Sequence, residues 1–127
     1  MLKLLLIGTG GFIGSIFRYL LSGAAQSFSQ SIAFPYGTLT VNMLGCLCIG
    51  VLSELSENRG LLTPDAKAFL IVGILGGFTT FSAFGNETMA LIRSGEPALA
   101  LMNVGAHIVL GLGAVWLGYT LAYAIWR

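Results

Sequence analysis

The run Gly76-Gly77-Phe78-Thr79-Thr80-Phe81-Ser82-Ala83-Phe84-Gly85-Asn86-Glu87-Thr88 concentrates most of the side chains in this sequence that could do chemistry. Phe81 and Phe84 are three apart and share a face of any helix that carries them. Hydroxyls and amides surround them, notably Thr79, Thr80, Ser82 and Asn86, together with the carboxylate of Glu87. A phenyl ring has a positive edge and a negative face, so ring edges contact an anion without trapping it as a full charge would. Two phenylalanines among hydroxyls therefore suit the wall of a polar path, although lipid contact or core packing is the commoner use of such a pair. Elsewhere Asn42 follows Thr38 by one turn and offers two amide donors, and interhelical bonding is its alternative use. Asn103 and His107 are four apart, with Gly111 continuing that face. His107 is a donor or a pH-sensitive gate, or it is simply hydrogen-bonded to a neighbouring helix. Arg18 supplies positive potential at a pore mouth, or pairs with a carboxylate or carbonyls.

Enzyme chemistry has little to work with. There is no Ser/His/Asp set, no paired carboxylates and no metal cluster in the sequence. Cys46 and Cys48, with one distant histidine, match no zinc spacing and read as buried bystanders. Gly8-Thr9-Gly10-Gly11-Phe12-Ile13-Gly14 has the wrong register for a dinucleotide loop, because Ile13 occupies the third glycine position. The net charge of +1 gives no basic field for nucleic acid.

The elements that must position these residues are membrane spans. The chain has 127 residues, 56% hydrophobic and 9% charged. A soluble domain carries about 25% charged residues, and a chain this short cannot hide so much apolar area from water. A helix needs about 20 mainly apolar residues to cross the hydrocarbon core. Four segments meet that need, roughly 4–25, 35–55, 66–92 and 98–126, in one transmembrane domain covering 1–127. Lys3, an apolar stretch and Ser22-Gly23-Ala24 resemble a signal peptide, but Arg18 interrupts the stretch and three further spans follow, so the first span is expected to be retained.

Local signals mark the ends. Gly23 lies near the end of the first helix, and Pro35 starts the second. Thr63-Pro64-Asp65 reads as a cap, a proline at the first helical position and an acid in the first turn. Gly95 followed by Pro97 closes the third span and opens the fourth. Gly10 and Gly14, and Gly73 and Gly77, have the spacing that lets helix backbones approach closely in lipid. Lys3, Arg59, Lys67 and Arg127 favour the termini inside, but the bias is small and leaves insertion in both orientations open.

The third span predicts a break. Two glycines followed by two β-branched threonines make poor helix. Unwinding in a membrane is tolerated only where protein, ion or water satisfies the freed backbone. The expected fold is thus an all-α membrane protein with four transmembrane helices, the third broken mid-membrane. A kinked packing helix is the alternative.

These residues together resemble the Fluc (CrcB) family. Gly76 to Phe84 is similar to its G-G-x-T-T-F-S-x-F signature, Pro35-Tyr36-Gly37-Thr38-Leu39-Thr40-Val41-Asn42 to its second-helix motif, and Gly14 with Arg18 to its first-helix pattern. The resemblance covers nearly the whole chain. It implies a passive fluoride-selective channel in the inner (plasma) membrane that relieves fluoride toxicity. It also implies an antiparallel, dual-topology homodimer with two pores. By the same resemblance Phe81 and Phe84 form an aromatic box and Asn42 donates to fluoride. Thr38, Ser82, Glu87, Asn103 and His107 would line the route, and Arg18 would give the pore mouth its positive charge. The carbonyls of Gly76 and Thr79 would hold a structural sodium ion at the dimer centre. Where relatives often carry small hydroxyls on the fourth helix, Asn103, His107 and Gly111 stand here, and Ala83 replaces a hydroxyl seen in some. The rival class is a small multidrug-type antiporter, whose coupling acid belongs in a first helix that here holds no Asp or Glu. A membrane assembly subunit that transports nothing is a third reading.

Overall fold

The computed structural model describes residues 1–127. Helix α1 is Leu2–Ser29. Helix α2 is Tyr36–Ser53, and its end widens into π-type turns over Glu54–Asn58. Helix α3 covers 64–78, as ordinary helix at Pro64–Lys67, wide π-type turns over Ala68–Leu75 and helix again at Gly76–Phe78. Helix α4 is Phe81–Arg93 and α5 is Pro97–Ile125. With α3 and α4 counted as one interrupted crossing, four spans are long and apolar enough for a bilayer: Leu2–Ser29, Tyr36–Asn58, Pro64–Arg93 and Pro97–Ile125.

The distribution of side chains is the reverse of a soluble domain. Only 20 of 127 residues are buried, and five of those are the polar Thr38, Asn42, Glu54, Ser56 and Asn103. Leu4, Phe12, Phe17, Val109, Leu112 and Trp116 lie exposed on the outside. Lipid solvates such a surface without cost, whereas water would not.

The expected caps are present. Thr63 accepts a hydrogen bond from the Ala66 amide at 3.1 Å, with Pro64 in the first turn. Gly95 has φ of +80°, the left-handed conformation that glycine adopts without strain, and Pro97 opens α5. The expected end of α1 at Gly23 is wrong: the helix continues to Ser29 and stops at Gln30, whose φ is 54°. The cause is Gln26. Its Nε2 donates to the carbonyls of Ser31 and Phe34 at 2.7 and 3.0 Å, and its Oε1 accepts from the Gly37 amide at 2.9 Å. The turn into α2 is built around that side chain, so the helix must run past it.

The glycine pairs do the work expected of them. Helix α1 packs on α3 with Gly10 and Gly14 against Gly73, Ile74 and Phe78. A Cβ on Gly77 would lie 2.5 Å from the Gly11 carbonyl oxygen, so only glycine permits this approach. That corrects the reading of Gly76-Gly77 as part of the unwound stretch. Both are helical. The break falls on the threonines alone, with Thr79 at φ −83°, ψ 156° and Thr80 at φ −152°, ψ 107°. β-Branched residues are at ease in extended backbone, and Gly77 is held in helix by its packing against α1.

At the far end α2 is tied to α5. Glu54, 2% exposed, accepts from Arg59 Nε at 3.2 Å and from Asn58 Nδ2 at 2.6 Å. Arg59 also donates to the carbonyl of Trp126 and to that of Tyr123 at 3.5 Å, which satisfies carbonyls left open at the end of α5.

Candidate functional site

The break in the third span is held by one side chain of α2. Asn42 is buried. Its Oδ1 accepts from the Thr80 amide at 2.8 Å, and its Nδ2 donates to the Thr80 carbonyl at 3.1 Å. A carboxamide that satisfies both backbone groups of one residue takes the place of a neighbouring strand. Thr80 in turn caps α4, its hydroxyl accepting from the Ala83 amide at 3.2 Å.

These bonds decide what the break leaves open. In an unbroken helix the Thr80 amide would bond the Gly76 carbonyl, and the Ala83 amide the Thr79 carbonyl. Both amides are spent on side chains instead. The carbonyls of Gly76 and Thr79 therefore lack their helical donors. These are the two oxygens expected to hold a cation, and freed carbonyls are the donor type that a hard monovalent cation takes. On the other side of the break the amides of Phe81 and Ser82 have no partner within the chain. They sit at the positive end of a 13-residue helix, where an anion is favoured.

The two phenylalanines meet as the spacing predicts. Their ring centroids are 5.4 Å apart at 55°. Phe81 is 82% exposed, and Phe84 packs against the His107 ring with centroids 4.2 Å apart. Phe81, Phe84, Thr79, Thr80, Asn42 and His107 all line one open groove of about 510 Å³. Gly76 and Cys46 line it too, so Cys46 is not simply buried.

The remaining candidates fall on the other side of Thr80. Glu87 Oε1 accepts from the Thr38 hydroxyl at 2.7 Å, and its Oε2 is buried without a partner. Glu87, Thr38, Thr80 and Arg18 line a smaller cavity of about 280 Å³. Arg18 makes no ion pair there; the chain's one salt bridge is Arg59 with Glu54. Glu87, Thr38 and Ser22 also line a third cavity of about 740 Å³, which reaches Gln26, Ser94 and Glu96. Shared lining residues thus link the groove, the Arg18 cavity and a polar mouth in sequence. Ser82 lies 3.4 Å from the Thr80 hydroxyl.

Asn103 and His107 differ in position although they share a face. Asn103 is fully buried and donates to the Thr88 hydroxyl at 3.0 Å, which itself donates to the Phe84 carbonyl at 2.7 Å. It braces α4 against α5. His107 reaches the groove, with Nε2 3.1 Å from Asn42 Nδ2 and Nδ1 3.0 Å from the Asn103 carbonyl. Thr88 and the backbone of Thr80 were missed as site residues. A threonine just before an apolar helix start is a cap signal, and it would have found Thr80.

A model of the family described as CrcB-like protein, Camphor Resistance (CrcB), matches residues 5–119. The chain is 45% identical over 121 residues to a protein of Methylobacillus flagellatus named fluoride-specific ion channel FluC, covering 95% of this chain and 94% of that one. A protein of the same name from Elusimicrobium minutum is 44% identical over 121 residues, covering 94% and 93%. One from Methanosarcina barkeri, named fluoride-specific ion channel FluC 3, is 39% identical over 125 residues, covering 98% and 93%.

Proposed function

The chain belongs to the CrcB family, and from that membership we propose how it works as a fluoride-selective channel that relieves fluoride toxicity. It is a multi-pass membrane protein, and the inner, plasma membrane is the one we propose for it.

Fluoride is small, strongly hydrated and a strong hydrogen-bond acceptor. A pore must replace much of its water with donors, yet hold it loosely enough to release it. The observation that carries the mechanism is the set of groups at the break. The Phe81 and Phe84 rings lie beside the unpartnered amides of Phe81 and Ser82, at the N-terminus of α4. Amides supply directional donors, and ring edges supply weak positive potential without a fixed charge. Arg18 raises the anion's local concentration in its cavity, the Ser82 hydroxyl adds a donor along the way, and Thr38 lines the route with its hydroxyl hydrogen given to Glu87. Asn42 acts first as the clamp of the break: its two amide hydrogens go to the Thr80 carbonyl and to His107 Nε2, so a passing anion takes one only by displacing such a partner.

The exposed Phe81 and the open groove call for a second copy of the chain to complete the wall. The assembly we propose is an antiparallel homodimer, in which the break would lie at the bilayer midplane and each pore would be bounded by both subunits. The carbonyls of Gly76 and Thr79 would hold a sodium ion where the two breaks meet. The ion would supply positive charge that fixes the two broken helices together.

Transport needs no energy source. Hydrogen fluoride crosses bilayers as a neutral acid and ionises inside. A potential of about 100 mV, negative inside, contributes ~2.3 kcal/mol per expelled anion. That is a concentration ratio on the order of 50.

Replacing either ring by an aliphatic side chain tests the mechanism. Phe81→Ile or Phe84→Ile is expected to slow fluoride efflux from proteoliposomes severely while the protein still elutes as a dimer. Undiminished efflux in both variants removes the rings from the pathway.

A further inference from the structure

Hydrogen-bond bookkeeping around His107 leaves it one protonation state. The Thr80 amide can only donate, so the Asn42 atom facing it is the oxygen, and the orientation of the carboxamide is settled. The other Asn42 atom is the NH2 group, which can only donate. It lies 3.1 Å from His107 Nε2, so Nε2 must be bare. His107 Nδ1 lies 3.0 Å from the Asn103 carbonyl, which can only accept, so Nδ1 carries the hydrogen. Two independent contacts demand the same neutral tautomer.

We propose that His107 is a positioning residue of the pore: its bare Nε2 holds the second amide hydrogen of Asn42 and ties the fourth crossing to the break in the third. The assignment rests on the channel reading for its link to flux, but not for the hydrogen bond itself. The ring stacks on Phe84, so the same imidazole sets both the clamp and one aromatic wall. A charged ring carries N–H on both nitrogens and cannot accept from Asn42. Two donors then face each other across the groove, and the carboxamide must give up its place at Thr80 or the ring must leave Phe84. Either movement disturbs the donors and the ring edge that the anion meets.

The groups that face His107 set its surroundings. Helix α4 brings Glu87, whose carboxylate is held by the Thr38 hydroxyl one turn before Asn42. Helix α2 brings the Cys46 thiol, which lines the same groove. Arg18 of α1 shares the neighbouring cavity with Glu87. Glu87 keeps one buried oxygen unpartnered.

Two measurements test the proposal on the intact protein in liposomes. His107 is the only histidine, so nitrogen NMR of labelled imidazole reads it without ambiguity. The expected spectrum at neutral pH has a protonated Nδ1 and a bare Nε2; a protonated Nε2 overturns the proposal. Fluoride efflux is then followed from about pH 7.5 to about pH 5.5, the range in which histidine ordinarily changes charge. Protein-free vesicles correct for leakage of hydrogen fluoride. Efflux through the unaltered protein is expected to fall severalfold with acid. His107→Gln places an amide oxygen near the position of Nε2 without titrating. It is expected to keep efflux and lose the acid dependence. His107→Leu offers no acceptor, and slow efflux at every pH is expected. Parallel pH profiles for the unaltered and Gln proteins overturn the positioning role. Absence of fluoride efflux at any pH overturns the channel reading, and the ring tautomer still decides whether the bond to Asn42 exists.

Discussion

Removing the Asn42 side chain should close the pore by one of two routes, and both are measurable. In Asn42→Ala the Thr80 amide and carbonyl lose their partners, and His107 loses its donor. If the break stays open, each stranded backbone group costs about 1–3 kcal/mol, or roughly 2–6 kcal/mol for the pair. Polar bonds between membrane helices average only ~0.6 kcal/mol, so three of them set a lower figure of about 2 kcal/mol. If the break instead heals, the Thr80 amide returns to the Gly76 carbonyl and the stability loss shrinks. The freed carbonyls then disappear, the N-terminus of α4 closes and the anion loses its amide donors. Asn42→Asp keeps an acceptor for the Thr80 amide but supplies no N–H, so it should fail as the alanine variant does. Unfolding in mixed micelles gives the energy, and a fluoride electrode on proteoliposomes gives the flux. Slow efflux with either a loss of at least about 2 kcal/mol or a gain in helix content is expected. An alanine variant with ordinary stability, ordinary helix content and ordinary efflux would refute the clamp.

Two further perturbations follow from the same geometry. Gly77→Val inserts a side chain where a Cβ already falls 2.5 Å from the Gly11 carbonyl oxygen, so α1 and α3 must separate. A stability loss of about 1–3 kcal/mol by micellar unfolding is expected, whereas Gly85→Ala, with open space at its Cβ, should change little. Exchange of sodium for N-methylglucamine on both sides of the vesicle should weaken the dimer and slow efflux. Dimer stability and efflux that ignore the exchange would detach the Gly76 and Thr79 carbonyls from any cation role.

What could be read in advance depended on how far apart in the chain the interacting groups lie. The four spans follow from composition over windows of about 20 residues, and Thr63-Pro64-Asp65 and Gly95 with Pro97 follow from local backbone preference. The Phe81–Phe84 pair follows from helical spacing. By contrast, Asn42 and Thr80 are 38 residues apart, and nothing local distinguishes an asparagine that clamps backbone from one that bonds a helix. Gly77 has the same low helix propensity in a kink as in a packed helix; its contact with Gly11 decides the case. The extension of α1 to Ser29 depends on Gln26 reaching Ser31, Phe34 and Gly37. Composition does not report such a reach. Asn103 and His107 look equivalent by spacing, yet one is sealed against Thr88 and the other reaches the groove.

The most direct measurement is ion efflux from liposomes that contain only this protein, loaded with equal fluoride and chloride and held without a proton gradient. Fast fluoride release, with chloride retained until detergent is added, is the expected result. Retention of fluoride, or release of both halides together, would contradict a selective path through the Thr79–Thr80 break.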